Sequence, residues 1–254
     1  MELKHDLKLA VVIDADNVPH KNVKGMMEEI AKFGIPTFKR IYGDWTKPNL
    51  AGWKVVLLEN AITPIQQYSY TTGKNSSDSA MIIDAMDILY AGKVDGFCIV
   101  SSDSDFTRLA IRLRESGMKV FGFGEQKTPN PFIVACDKFV YLEILNDPTL
   151  SDSDDSSLSN KTVAVKKTSL RKVDTKTISM ISSTINDLAD EDGWAFLGDV
   201  GNLLSKKKTD FDARNYGFEK LTPLIKSLTR YFEIDERVTE RAAIKHVFVR
   251  TKKR

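Results

Sequence analysis

Over the first 145 or so residues, short apolar runs rich in β-branched side chains alternate with stretches whose apolar positions recur at helical spacing. Lys8 to Ile13 (KLAVVI) is a continuous apolar run of the kind a buried strand needs, and a helical pattern follows from about Pro19 to Phe33. Next come Thr37 to Tyr42, a helical stretch ending near Asn60, Thr63 to Tyr68, and helical spacing over Ser77 to Ala91. Phe97 to Val100 (FCIV), a helix from Ser104 to Ser116, Lys119 to Phe123 and a short strand near Phe139 to Leu142 complete the series. This βαβα succession predicts an α/β domain, a parallel sheet with helices on both faces. In such sheets the working residues sit just beyond the carboxyl ends of the strands.

From Asn146 to about Lys172 the pattern lapses. An Asp-Pro pair, a serine- and aspartate-rich run (SDSDDSSLSN) and a lysine-rich stretch cannot bury enough apolar surface to offset the entropy of ordering. Residues 146–172 therefore read as a flexible linker between domains at 1–145 and 173–254. Beyond it, Thr175 to Leu188 is a predicted helix with Ile178, Ile181, Ile185 and Leu188 at apolar spacing. Phe196 to Leu204 and Gly217 to Tyr231 read as two further helices, and Phe232 to Ile234 with His246 to Arg250 as a paired β-wing, the grammar of a small winged helix. No internal repeat is visible.

Composition refines this picture. At 254 residues and 42% hydrophobic, the chain exceeds one typical domain and can bury a real core. Its net charge of +2 conceals an asymmetry: residues 1–160 carry 17 Lys and Arg against 22 Asp and Glu, and residues 161–254 carry 20 against 13, so the two parts stand at −5 and +7. A basic C-terminal part suits a polyanionic partner, although a merely solvated charged face has the same composition. Cys98 and Cys136 are the only cysteines, too few for a disulfide framework or a four-thiolate zinc site, which points to a reducing, intracellular setting. The first residues lack the regions of a signal peptide, and the longest apolar runs are about five residues, far short of a membrane span. A soluble, cytoplasmic protein with no membrane partner is expected.

The carboxylates carry the chemistry. Asp14 and Asp16, with Asn17 beside them, follow the first strand (VVIDADNV), and Asp103 and Asp105 follow the fourth (CIVSSDSDF). Two strands of one parallel sheet would thus deliver four carboxylates to one end, where their repulsion is costly unless a cation neutralises it. An all-oxygen site of this kind favours Mg²⁺ or Mn²⁺ over zinc. Asp78 opens the next helical stretch (GKNSSDSAMIIDAMD) and ranks as the better ligand. Asp84, six residues on, points roughly 120° away and ranks as supporting. Lys74 could meet a phosphate or orient a carboxylate. Each acid has a plainer reading: Asp14, Asp16 or Asn17 could cap the helix that Pro19 begins, and Ser102, Asp103 or Ser104 the one near Phe106. Two Asp-X-Asp triplets plus an Asp at a helix start are more negative charge than capping needs.

These three segments, the strand ending in Asp-Ala-Asp-Asn-Val, the Gly-Lys-Asn-Ser-Ser-Asp helix and the Ser-Ser-Asp-Ser-Asp-Phe turn, resemble the NYN domain, a PIN-like nuclease family, over roughly residues 8–145. The resemblance implies metal-dependent cleavage of RNA, with Asp14, Asn17, Asp78, Asp103 and Asp105 on the matching positions and Asp16 and Asp84 matching less closely. Residues from about 173 to 251 resemble the LOTUS or OST-HTH family, a winged-helix RNA-binding domain. The carrying segments are Ile178 to Leu188, Gly193-Trp194-Ala195 with Leu197 to Leu204, and Asp212-Ala213-Arg214-Asn215-Tyr216-Gly217-Phe218 running into Leu221 to Leu228.

Several roles follow as expectations. Asp14, Asp78 and Asp103 would hold one or two divalent ions, which stabilise charge on a phosphodiester under attack and lower the pKa of a coordinated water. Asp78 could instead take the water's proton, and Asn17 with Ser101 or Ser102 would orient water or phosphate. In the basic part, Lys206, Lys207, Lys208, Arg214, Asn215 and Tyr216 would stand around the turn that exposes the recognition helix, and Lys220, Lys226 and Arg230 would lie along it, the cations meeting phosphates. Tyr216 could stack on an unpaired base, or be a core aromatic like Phe218. Gly122-Phe123-Gly124 lacks the third glycine and helix of a dinucleotide fingerprint, and Trp45 and Trp53, which flank Lys47 and Lys54, could line an RNA groove or simply pack. Two rivals stand beside the nuclease: a haloacid-dehalogenase-type phosphatase using Asp14 as nucleophile, since Asp14 to Val18 also fits that family's Asp-X-Asp-X-Val strand, and a non-catalytic RNA-binding adaptor. The sequence leaves oligomeric state open, a homodimer included.

Overall fold

In a computed structural model of the protein, residues 6–68, 76–145, 171–238 and 245–252 are described. The chain divides into two compact units, residues 1–157 and 158–254. The linker expected over 146–172 falls almost wholly outside the described residues, as does Lys74.

The first unit runs β1 (Lys8–Asp14), α1 (Val23–Ile30), β2 (Ile35–Gly43), α2 (Trp53–Asn60), β3 (Thr63–Gln66), α3 (Ser76–Tyr90), β4 (Gly96–Val100), α4 (Thr107–Glu115), β5 (Lys119–Gly124), α5 (Asn130–Ala135) and β6 (Lys138–Tyr141). Its six strands form one parallel sheet in the order β3-β2-β1-β4-β5-β6, the α/β arrangement that the alternation predicts and the PIN-like fold that the resemblance implies. The element missing from the sequence reading is α5, whose six residues are too few to establish a helical period.

A parallel sheet covered on both faces needs strands that are apolar throughout, and β1 and β4 meet that demand. Leu9 to Ile13 are fully buried, as are Phe97 to Val100. Leu9, Val11 and Ile13 share one core with Val23, Met26 and Ile30 of α1 and Trp53 and Leu57 of α2. Strand alternation turns Ala10 and Val12 to the opposite face, and α3 packs against β1 and β2. The chain leaves β1 toward β2 on one side and returns through α3 to β4 on the other. This reversal between β1 and β4 opens a crevice at their carboxyl ends, the usual ligand position in open α/β sheets.

The second unit comprises α6 (Thr175–Leu188), β7 (Ala195–Phe196), α7 (Leu197–Lys207), α8 (Leu221–Ser227), β8 (Phe232–Val238) and β9 (Lys245–Thr251). The strands form an antiparallel sheet in the order β7-β9-β8. Asp174 caps α6, its carboxylate accepting from the Thr177 amide at 2.8 Å. Ile181, Ile185, Val200, Leu204, Leu224, Ile225 and Val249 make the core. The third helix is shorter than the pattern Gly217 to Tyr231 suggests: a 3-10 turn at Ala213–Tyr216 closes first, and α8 begins only at Leu221. Lys220 therefore precedes α8 and Arg230 lies beyond it, leaving Lys226 as the basic residue of its last turn.

Candidate active site

The register explains how distant carboxylates meet. Ile13 of β1 pairs with Val100 of β4, so Asp14 and Ser101 emerge side by side one residue later. Asp14 is only 1% exposed and three donors hold it: the Asp16 amide on Oδ1 at 3.1 Å, and on Oδ2 the Asn17 side-chain amide at 2.6 Å and the Ser101 hydroxyl at 2.9 Å. The Ser101 Oγ in turn accepts from the Asp103 amide at 3.1 Å, which ties the turn after β4 to the end of β1. Burial raises the Asp14 carboxyl above the ordinary aspartate value, opposed by the hydrogen bonds from Asn17 and Ser101.

Asp78, Asp103 and Asp105 each offer a carboxylate oxygen, and these atoms lie within 4.8 Å of one another. Asp78 sits in the first turn of α3 and is buried; Asp103 is half-buried and Asp105 exposed. Burial pushes the Asp78 carboxyl up to about 6, reinforced by the charges of Asp14, Asp103, Asp105 and Asp16. Asp103 also caps the 3-10 turn Ser104–Phe106, its Oδ1 accepting from the Asp105 amide at 2.9 Å, so capping and clustering coexist in one residue. Asp16 is exposed and receives a 3.4 Å hydrogen bond from Ser77 of α3, which links the β1 turn to the helix that carries Asp78.

Three carboxylates at this spacing are an all-oxygen donor set that fits a hard divalent cation. Asp105, ranked below the ligands by sequence, belongs to the trio, whereas Asp14, ranked as a ligand, is the hydrogen-bonded anchor beside it. Of the two serines, Ser101 addresses the carboxylates and Ser102 does not: its Oγ accepts from the Glu125 amide at 2.8 Å and pins the loop after β5. Gly124 allows that loop its close approach, since a Cβ there would stand 2.6 Å from the Ser101 carbonyl oxygen.

Asp84 is employed elsewhere. Its Oδ1 accepts from the Arg40 guanidinium and its Oδ2 from the Tyr42 hydroxyl, which fastens α3 to β2. Burial, then the Asp84 hydrogen bond, hold the Tyr42 phenol well above its usual range. Sequence reasoning passed over Arg40 and Tyr42, although their i, i+2 spacing places both on the sheet face that meets α3. Trp53 is 2% exposed and belongs to the core, and the Trp45 indole donates to the Ile65 carbonyl at 3.0 Å, so both tryptophans take the packing reading. Cys98 and Cys136 are buried free thiols.

In the second unit the structure corrects two expected RNA contacts. Asn215 is 1% and Tyr216 6% exposed; the Asn215 side chain donates to the Asp210 carbonyl at 2.8 Å and the Tyr216 hydroxyl lies 3.3 Å from that of Thr177. A buried ring has no face to offer a base, so Tyr216 is a core aromatic. Three of the expected cations have carboxylate partners: Lys207 with Asp187 at 2.5 Å, Lys208 with Asp210 at 3.8 Å and Arg214 with Asp212 at 2.7 Å. Lys206 and Lys220 are exposed, with no ion pair among the described residues.

Among the described residues, no helix is long and apolar enough to cross a membrane. No curated protein matches the chain. A crystal structure of a protein of unknown function from Vibrio parahaemolyticus is similar at 21% identity and TM-score 0.46, covering 56% of this chain and 96% of that one. An uncharacterized protein from Nitrosomonas europaea is 30% identical with TM-score 0.32, covering 39% of this chain and 93% of that one. A fragment of a protein from Chromobacterium violaceum is 29% identical with TM-score 0.25, covering 32% of this chain and 86% of that one. The profile of the OST-HTH/LOTUS domain matches residues 168–242, and that of the NYN domain residues 8–143. With the acidic crevice built on a six-stranded parallel sheet and a helical, β-winged unit later in the chain, the chain belongs to the NYN domain family and carries an OST-HTH/LOTUS domain after its nuclease-type fold.

Proposed function

We propose that the protein is a divalent-metal-dependent ribonuclease in which residues 1–145 form the cleaving domain and residues 173–254 recruit RNA, with 146–172 linking them. The observation that carries this reading is the convergence of Asp78, Asp103 and Asp105 within 4.8 Å beside the anchored Asp14, in the crevice between β1 and β4. Asp78, Asp103 and Asp105 would hold Mg²⁺ or Mn²⁺, and Asp14 would complete the negative field around them. The bound ion supplies charge stabilisation for a phosphodiester under attack and a more acidic water. Asp14 keeps Asn17 in a fixed position, so that its side chain orients water or phosphate, whereas Ser101, fully buried with its hydroxyl hydrogen committed to Asp14, holds the turn after β4 in place. Asp78 either completes the metal shell or takes the water's proton. The phosphatase reading suffers from the same geometry: Asp14 is buried and accepts hydrogen bonds on both oxygens, a poor state for a nucleophile.

The test is purified full-length protein incubated with structured and unstructured RNA, with and without Mn²⁺, followed by end-mapping of the products. Cleavage that requires Mn²⁺ and disappears in Asp103→Asn with the fold intact supports the nuclease. RNA bound for hours in Mn²⁺ and recovered uncut supports an adaptor instead.

A further inference from the structure

At the helical end of the second unit, the ring expected to meet RNA, Tyr216, is buried, as is Asn215. An aromatic cluster lies on the sheet of this unit. Successive side chains of a strand point to opposite faces, and the register divides the β7-β9-β8 sheet accordingly. Ala195, Val249 and Ile234 lie opposite one another and turn to the core. Phe196, Phe248 and Asp235 are in register on the other face, as are the pairs Arg237 with His246 and Glu233 with Arg250. Residues of this outer face are exposed or half-buried throughout, and Phe196 retains 37% of its surface.

These side chains form one stack. The Phe196 ring stands 5.6 Å from His246 and 5.8 Å from Phe248, centroid to centroid. The Arg237 guanidinium lies 4.2 Å over Phe248 and 5.7 Å over Trp194, and the Arg250 guanidinium 4.6 Å over Trp194. Each guanidinium is held through its nitrogens by a neighbour on β8, Arg237 by Asp235 and Arg250 by Glu233, both at 2.7 Å. Gly198 keeps Phe196 in place: a Cβ there would stand 2.6 Å from the ring. The two ion pairs cancel the charge of the face, so it has little to offer phosphates but retains planar, polarizable surfaces. Rings and guanidinium planes are the groups on which unpaired bases stack.

We propose that this outer face is a platform on which the OST-HTH/LOTUS unit stacks unpaired bases of single-stranded RNA, while Lys206 and Lys220 supply separate phosphate contacts. The inference rests on the RNA-binding half of the proposed function and is independent of cleavage. Its test uses the full chain in EDTA, which prevents metal-dependent cutting, with a fluorescently labelled mixed-sequence 12-nucleotide RNA and the corresponding duplex in anisotropy titrations. Phe196→Ala and Arg237→Gln, each with wild-type circular dichroism, should bind the single strand about fivefold or more weakly, the loss expected for one stacked base. Phe196→Tyr should stay within about twofold of wild type. Affinity for the duplex should change little, and Phe196→Ala should leave the salt dependence unaltered, because stacking displaces no counterions.

Single-strand affinity that is unchanged in both Phe196→Ala and Arg237→Gln overturns the platform. If those variants also turn a dimer into a monomer by sedimentation, the face joins two copies of the chain and is not an RNA surface. A wild type that binds no RNA removes the recruiting role along with the platform, whereas binding in EDTA without cleavage in Mn²⁺ removes only the nuclease.

Discussion

The two units treat charge in opposite ways. In the first, like charges are crowded together: Asp78, Asp103 and Asp105 converge, and Asp78 rises to about 6 through burial and the anionic charges around it. In the second, cations that look available in the sequence are matched with anions, Lys207 with Asp187, Lys208 with Asp210 and Arg214 with Asp212. Crowding of one sign costs folding free energy and is relieved by a ligand of the other sign, so it marks a site. Matched pairs on a surface add little stability and leave less charge for a ligand, so a count of lysines and arginines overstates what RNA can use.

Breaking the acidic cluster should have the largest effect. Asp78→Asn and Asp103→Asn should each lower Mn²⁺-dependent RNA cleavage about a hundredfold or more, with unchanged circular dichroism, in a single-turnover assay. Asp78→Asn should also raise the melting temperature of the metal-free protein, because it removes a buried charge repelled by its neighbours.

A pH series sharpens the point without mutation. The folded Asp78 binds its proton more tightly than an unfolded aspartate does, so its charge destabilises the metal-free fold as pH rises through about 4 to about 6, and acidification restores stability over that window. Metal needs the carboxylate form, so Mn²⁺ affinity should fall about tenfold per pH unit below about 6. Calorimetric titrations of Mn²⁺ at pH 5 and pH 7.5, paired with thermal melts in EDTA, check both directions.

Asp84 tests whether position within the cluster, rather than acidity, is what counts. Held by Arg40 and Tyr42, it should behave as a structural residue: Asp84→Asn should cost about 1–3 kcal/mol in urea unfolding and leave Mn²⁺ affinity within about threefold. An affinity loss as large as that of Asp78→Asn would place Asp84 at the metal.

On the basic side the effects should be smaller. Lys206→Glu and Lys220→Glu should weaken RNA binding a few-fold and each reduce the salt slope by about one, whereas Tyr216→Phe should cost about 1 kcal/mol of stability and leave RNA affinity unchanged.

Much of the first unit was legible because its signals are local. Apolar runs such as KLAVVI and FCIV mark buried strands, and an Asp directly after each run marks the carboxyl rim. What the sequence could not convey was which strands are neighbours: only the order β2-β1-β4 puts Asp14 next to Ser101 and lets Asp105 join Asp78 and Asp103. Asp84 illustrates the same limit, since its partners lie more than 40 residues away on β2. In the second unit the helices were legible from their spacing, but Tyr216 shows that an aromatic before a helix carries no mark of whether it faces the core or solvent. The alternation of His246, Phe248 and Arg250 was visible in the sequence, yet the stack emerges only once β8 supplies Arg237 across the register.

The most direct test of the central claim is an anomalous difference map from crystals soaked in Mn²⁺ and measured at its absorption edge. A peak is expected in the crevice between β1 and β4, about 2.1 Å from carboxylate oxygens of Asp78, Asp103 and Asp105. A peak held without any of these three, or no peak in crystals of protein that cleaves RNA in the same Mn²⁺ concentration, would contradict the claim.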